Sequence, residues 1–266
     1  MSPDPSSPTP VRGIPAFWEE LRSASSSFLA LDYDGTCAPF RPERMEAYPL
    51  AGIPELIGRI GNRTPGSLAV ISGRPLAELQ RLLDLPGITM IGSHGYELRN
   101  PDGTLVVQKP TPKQRQGLSM AWQTGVREGL NERVETKVAS IALHTRGVPE
   151  EQARSMVRIA KDAWVPIARK HDLEVRRFNG GIELRSRGTD KGSALKALLS
   201  FLPVDAFCVY IGDDETDEDA FRIIRGRGYG IRVGFTDQPT HAAGFLPDIQ
   251  AVKDLLQAWT ELAPSG

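Results

Sequence analysis

The sequence predicts an α/β protein: a doubly wound, mostly parallel sheet with a smaller α+β domain inserted into it. Three observations predict this. The runs Phe28–Leu31, Leu68–Ile71 and Phe207–Ile211 are apolar at every position, as strands are when both sheet faces are covered. Each run stops at a polar, glycine-containing turn, at Asp32, at Ser72-Gly73 and at Gly212-Asp213. Stripes of helical period fill the gaps, and strand–helix–strand order implies right-handed crossovers and parallel pairing.

In chain order, residues 1–12 are expected to be a disordered leader, because the first ten hold four prolines and three serines and almost nothing to bury. Phe17, Trp18 and Leu21 suggest a short helix, followed by the first buried strand. Leu76, Leu79, Leu82 and Leu83 lie on one helical stripe behind Pro75, a residue suited to a first turn. Asn100-Pro101-Asp102-Gly103 signals a turn, read as a hairpin at the edge of the core. Residues 109–185 change character. Val138–His144, Leu173–Arg177 and Ile182–Arg185 alternate or carry charge, as one-sided antiparallel strands do. Glu150–Lys170 between them has a helical pattern, in which Pro166 predicts a kink or an early end. From Lys191 the stripe Leu195, Leu198, Leu199 and Leu202 resumes the parallel pattern. The core is therefore read as residues 13–108 and 186–266, with 109–185 as the insert.

Composition narrows the function classes. The 266 residues are 40% hydrophobic and 24% charged, an ordinary globular balance with room for a sizeable core. Lys plus Arg is 32 against 33 for Asp plus Glu, so no general positive field favours nucleic acid. No apolar run approaches the roughly 20 residues of a membrane span, and Met1–Pro10 lacks the apolar stretch of a signal peptide. Two cysteines, Cys37 and Cys208, make neither a disulfide framework nor a four-ligand zinc site. A cytoplasmic, reduced, monomeric protein is expected, with no nucleic-acid or membrane partner.

Four groups of polar residues stand at the ends of buried strands or the starts of helices, where open α/β sheets hold their sites. Asp32-Tyr33-Asp34-Gly35-Thr36 offers two carboxylates two positions apart. They suit a hard cation, or a nucleophile with an acid/base partner, or a plain capped turn. Gly212-Asp213-Asp214-Glu215-Thr216-Asp217 is repulsive unless a cation or basic group offsets it. An acidic helix start explains Asp217 well but Asp213 and Asp214 poorly. Ser72-Gly73-Arg74 supplies a hydroxyl, a backbone amide and a cation before a helix, which fits either phosphate binding or a serine cap. Lys191 opens a helix, where the dipole disfavours a cation, so a local anion or the acidic cluster accounts for it best.

Taken in this order, the four motifs resemble those of the haloacid-dehalogenase-type phosphatases from about Phe28 to the C-terminus. The resemblance implies a Rossmann-like core in which Asp32 attacks phosphorus and forms an aspartyl-phosphate. It implies that Asp34 protonates the leaving alcohol and then activates water, while Ser72 and Lys191 hold phosphoryl oxygens. Mg²⁺ would be held by the Asp32 and Asp213 carboxylates and the Asp34 carbonyl, with Asp214 and Asp217 orienting waters or Lys191.

Further segments are similar to the trehalose-6-phosphate phosphatase family, whose cap domain is inserted between the second and third core motifs, as here. They are Gly92-Ser93-His94-Gly95-Tyr96-Glu97, Glu135-Thr136-Lys137, Leu143-His144-Thr145-Arg146 and Glu183-Leu184-Arg185. The implied sugar contacts are Glu135, Lys137, Arg146 and Glu183 from the insert, with His94 and Glu97 from the core; Arg74 and Gly95 are expected among the substrate-binding residues. Cross-strand ion pairing on a solvated sheet explains the charged insert residues equally well. Three positions depart from the family pattern. Cys37 replaces a frequent Leu after the first motif and is read as a packing residue. Thr145 stands where an aromatic is usual. Phe178-Asn179-Gly180-Gly181 has no Lys near the cap Glu. The expected substrate is trehalose 6-phosphate. Another phosphorylated disaccharide or a glycosyl-polyol phosphate is the nearest alternative. A silent sugar-phosphate sensor and a phosphoryl-transferring mutase come from other classes.

Overall fold

The computed structural model describes residues 11–178 and 180–264. They form two compact units, divided at 105/106 and again at 190/191. The first contains α1 (Phe17–Ser23), β1 (Ser27–Leu31), α2 (Ile53–Arg63), β2 (Leu68–Ile71), α3 (Leu76–Leu82), β3 (Thr89–Gly92) and β4 (Glu97–Arg99). The chain leaves through β5 (Leu105–Val107) to the second unit, which holds α4 (Pro112–Arg127), β6 (Val134–Thr136), β7 (Ser140–His144), α5 (Glu150–His171), β8 (Leu173–Phe178) and β9 (Gly181–Ser186). It returns through α6 (Lys191–Leu199), β10 (Phe207–Gly212), α7 (Glu218–Ile224), β11 (Gly228–Val233), β12 (Gly244–Leu246) and α8 (Ile249–Leu262).

The large sheet has the order β12-β11-β10-β1-β2-β3-β4-β5. Neighbours from β12 to β3 pair in parallel, and β4 runs antiparallel to β3. The period of two along each central strand sends alternate side chains to opposite faces. Leu29, Leu31, Val209 and Ile211 pack with α1, α2, α3 and α8. Ala30, Ala69, Ile71, Cys208 and Tyr210 pack with α6 and α7. This is the doubly wound arrangement that the all-apolar runs predict.

In the second unit an antiparallel sheet, β6-β7-β9-β8, carries α4 and α5 on one face. Ile141, Leu143, Ile182 and Leu184 point into that layer beside Leu118 and the fully buried Trp164. Their strand neighbours therefore form a polar face on the other side of the sheet.

Three expectations change. Residues 1–10 of the predicted leader lie outside the described residues, but Val11 is buried and Arg12 pairs with Phe245 in both directions, at 3.2 and 2.9 Å. An apolar side chain and a strand-like pairing hold these two residues against the core. Helix α5 runs through Pro166 to His171, because Trp164, Ile167 and Ala168 anchor it on both sides of the missing N–H. It stops at Asp172, which adopts a left-handed conformation at φ 53°. The boundary expected at 185/186 falls at 190/191. Arg187 stays with the second unit because its carbonyl accepts from Gln114 and its own N–H donates to the Asp172 carbonyl. Among the described residues, no helix is long and apolar enough to cross a membrane.

Candidate active site

Parallel pairing brings the carboxyl ends of β1, β2 and β10 to one edge of the sheet. Leu31 is in register with Ile211 and with Val70, so Asp32, Ser72 and Asp213 emerge side by side. The loop after β1 approaches that after β10 closely. A Cβ on Gly35, whose φ is +77°, would lie 2.2 Å from the Asp213 carboxylate, so a side chain there is excluded twice over.

Lys191 opens α6 directly under this edge. Its Nζ lies 2.8 Å from Asp32 Oδ1 and 2.7 Å from Asp217 Oδ1, and all three groups are buried. Asp217 is braced by four donors: Lys191 and the Tyr210 hydroxyl on Oδ1, and the backbone N–H groups of Asp213 and Asp214 on Oδ2. One oxygen each from Asp32, Asp213 and Asp217 fall within 4.8 Å of one another. Asp213 Oδ1 is buried with no hydrogen-bond partner among the described residues.

Two of these carboxylates, Asp32 and Asp217, share the Lys191 ammonium, and Asp213 lies beside them. Burial first, then Asp217, pushes Asp32 up to about 8 against the pull of Lys191. Burial, Asp32 and Asp217 push Asp213 well above the ordinary carboxylate range. Burial draws the Lys191 ammonium down, but Asp217 and Asp32 outweigh it and hold Lys191 above its usual value. Three carboxylates thus face one another, and one of their oxygens, Asp213 Oδ1, has no hydrogen-bond partner among the described residues. An all-oxygen donor set of this kind fits a hard divalent cation.

Asp34 faces a different partner. The Arg74 guanidinium grips it through two bonds of 2.6 and 2.7 Å, a bidentate fork that fixes the carboxyl plane. Arg74 also lies over the Tyr33 ring and 3.8 Å from Glu78. Expected among the substrate contacts, Arg74 is instead directed at Asp34. Ser72 Oγ accepts from the Arg74 N–H at 3.1 Å. It does not cap α3, whose N-cap is Pro75. Cys37 Sγ contacts the Asp32 carbonyl at 3.2 Å from a fully buried position.

Ser93, His94 and Gly95 form a tight turn after β3 with three successive positive φ values. The His94 ring lies against Gly73, where an added Cβ would approach it to 2.6 Å. Glu97, expected at the sugar, has Oε2 engaged by Ser93 Oγ at 2.5 Å and by the Leu76 N–H at 3.1 Å. It braces this turn against the start of α3. Asp214 likewise accepts from the Glu215 N–H at 2.6 Å and caps a short turn.

In the second unit, the polar sheet face holds most of the remaining predicted residues. Glu183 Oε1 accepts from Lys137 Nζ at 3.0 Å and from Ser140 Oγ at 2.7 Å. Glu135 Oε2 lies 2.7 Å from His144 Nε2. Arg146 sits at the end of the sheet, its side chain over Gly180. Asn179 lies outside the described residues. The sequence reading singled out no role for Tyr210, Ser140, Glu174 or Arg185, the last two joined at 2.7 Å. Ser140 and Arg185 share a register row with Glu174, so strand alternation around Glu183 was the signal that could have found them. Tyr210 had none, because in an all-apolar strand a tyrosine reads as core.

Residues 30–250 match the family model described as trehalose-phosphatase. The chain belongs to that family. Among its relatives, the trehalose-phosphate phosphatase of Mycobacterium tuberculosis is 33% identical over 226 residues, covering 81% of this chain and 56% of that protein. The probable trehalose-phosphate phosphatase C of Arabidopsis thaliana is 32% identical over 259 residues, 91% of this chain and 79% of that one. The chain thus spans about half the length of the mycobacterial trehalose-phosphatases it matches. In structure it resembles the C-terminal domain of the C. albicans trehalose-6-phosphate phosphatase, with a TM-score of 0.79 at 20% identity over 97% of this chain and 100% of that chain. It also resembles the C-terminal domain of the Candida albicans trehalose synthase regulatory protein, with a TM-score of 0.67 at 10% identity over 94% and 99%. Both neighbours show the trehalose-phosphatase fold alone, and a regulatory protein has it too. The choice between enzyme and sensor therefore falls to the site residues.

Proposed function

We propose that the chain is a Mg²⁺-dependent phosphatase that hydrolyses trehalose 6-phosphate through an aspartyl-phosphate on Asp32. The observation that carries this reading is the buried Lys191–Asp32 contact beside the unpartnered Asp213 oxygen. A sensor needs a phosphate-binding cation but no carboxylate poised within its reach. Here the carboxylate, the ammonium and the acid/base candidate Asp34 are all present.

In this reading an Asp32 oxygen attacks phosphorus and the bond from phosphorus to the sugar oxygen breaks. Asp34 enters the step protonated on one oxygen, keeps the other against Arg74, gives that proton to the sugar oxygen, and trehalose leaves. Asp34 then takes a proton from water, whose oxygen attacks the aspartyl-phosphate, releasing phosphate and restoring Asp32. Lys191 and Ser72 steady the phosphoryl oxygens, and the Arg74 fork holds Asp34 in plane. Mg²⁺ held by the Asp32 and Asp213 carboxylates and the Asp34 carbonyl would supply the charge that lets a carboxylate meet a phosphate dianion. Asp217, already holding four donors, serves Lys191 rather than the ion.

Two outcomes test the reading. Phosphate release should require Mg²⁺ and stop in excess chelator, while Ca²⁺ should support little turnover because its longer bonds and higher coordination number misplace Asp32. Mg²⁺ should also raise the melting temperature of the wild-type protein more than that of Asp213→Asn, as binding to the folded state requires. Full activity in chelator would defeat the metal assignment.

The sugar assignment rests on the polar face bearing Glu183, Lys137 and Glu135, groups that accept and donate several hydrogen bonds to hydroxyls. Glu183→Ala should cut kcat/KM on trehalose 6-phosphate by about ten- to a hundredfold, the worth of one charged hydrogen bond. It should change hydrolysis of a small aryl phosphate much less, since remote contacts orient only the larger substrate. Equal losses on both would make the Glu183 cluster structural. A preference for another glycosyl phosphate in a release screen would keep the chemistry and replace the substrate.

A further inference from the structure

We propose that Tyr210 is a positioning residue for Lys191, acting through Asp217, a role that rests on the phosphatase reading above. Tyr210 lies on β10 among apolar neighbours of the α6–α7 layer, with its ring edge-on to Phe221 at 5.7 Å. A phenylalanine would suit that apolar surrounding, and a hydroxyl placed there is costly unless it has a partner. Its partner is Asp217 Oδ1, at 2.5 Å, the oxygen that also accepts from Lys191. Burial and the nearby carboxylates hold the phenol well above its ordinary range, so it donates without adding charge.

The consequence concerns where the Lys191 charge is directed. The ammonium bridges Asp217 at 2.7 Å and Asp32 at 2.8 Å. With Tyr210 and two backbone N–H groups also satisfying it, Asp217 makes a weaker claim on Lys191. More of the positive charge then faces Asp32 and the phosphoryl group. Without the hydroxyl, Lys191 is the remaining side-chain donor to Asp217 Oδ1 among the described residues and is drawn toward it, because an undersatisfied buried carboxylate attracts its partner strongly.

Tyr210→Phe tests this, with tungstate as a phosphoryl-like oxyanion and an aryl phosphate as substrate, both in saturating Mg²⁺. Tungstate affinity, read by calorimetry, and kcat on the aryl phosphate should each fall about tenfold, with the midpoint of Mg²⁺ titration unchanged. Phe221→Leu is the control for packing. It removes the ring beside Tyr210 and keeps the hydroxyl, so it should lower the melting temperature and leave tungstate affinity within twofold. Wild-type tungstate affinity and kcat in Tyr210→Phe would overturn the proposal. So would a loss of the folded state with no separate effect on tungstate, which would assign the hydroxyl to the fold. A wild-type protein that fails to hydrolyse the aryl phosphate would instead contradict the phosphatase reading.

Discussion

Asp32→Asn is expected to reduce phosphate release on the order of 10⁴-fold or more, as loss of a nucleophile does in enzymes that form covalent intermediates. The protein should remain folded. Asp32 is 4% exposed, shares one ammonium with Asp217 and lies beside Asp213, so the neutral amide relieves repulsion while keeping the shape of the side chain. In metal-free buffer its melting temperature should equal or exceed that of the wild type. Activity is measured as phosphate released from an aryl phosphate, and stability by thermal melting in chelator. Near wild-type turnover would exclude an aspartyl-phosphate on this residue. A large drop in melting temperature would mean that Asp32 serves the fold.

Lys191→Met is expected to have the opposite stability signature together with a comparable loss of activity. The ammonium is buried between two carboxylates, and removing one member of such a group leaves the others uncompensated. Breaking a buried pair costs about 3–5 kcal/mol, enough to shift a urea midpoint well below that of the wild type. Methionine nearly conserves the volume, so a cavity contributes little. Activity should vanish because the phosphoryl oxygens lose their positive partner. A Lys191→Met protein as stable as the wild type would show that solvent or a bound cation already screens Asp32 and Asp217. Together the two variants separate a carboxylate whose charge burdens the fold from a cation on which the fold depends.

The core elements that position the site are legible because their patterns are local. A strand segment buried on both faces must be apolar throughout, and Phe28–Leu31 of β1, all of β2 and Phe207–Ile211 of β10 are. The polar residues that end them are then brought to one edge by parallel pairing alone. The same locality fails for α5, where Pro166 predicts an early end and tertiary burial of Trp164 and Ile167 carries the helix through. It fails again at residues 11 and 12, where a pairing with Phe245, distant in sequence, orders what composition marks as leader.

Residue types and their order along the chain determined the family, the fold class and the candidates at each strand end. Which candidates meet is a separate matter, because a hydrogen bond across the sheet depends on register and rotamer, which spacing does not encode. Arg74 could face a phosphate or a carboxylate from the same place after β2, and only the folded loop turns its fork onto Asp34. Glu97 reads as a sugar ligand, and only the fold shows that the turn at Ser93 and the start of α3 both donate to its Oε2. Tyr210 reads as core until Asp217, seven residues on, folds back beneath it. The physical reason is one of range. Burial and periodicity are properties of a segment, whereas the pairing of buried charges is decided by which segments the tertiary structure places within about 3 Å of each other.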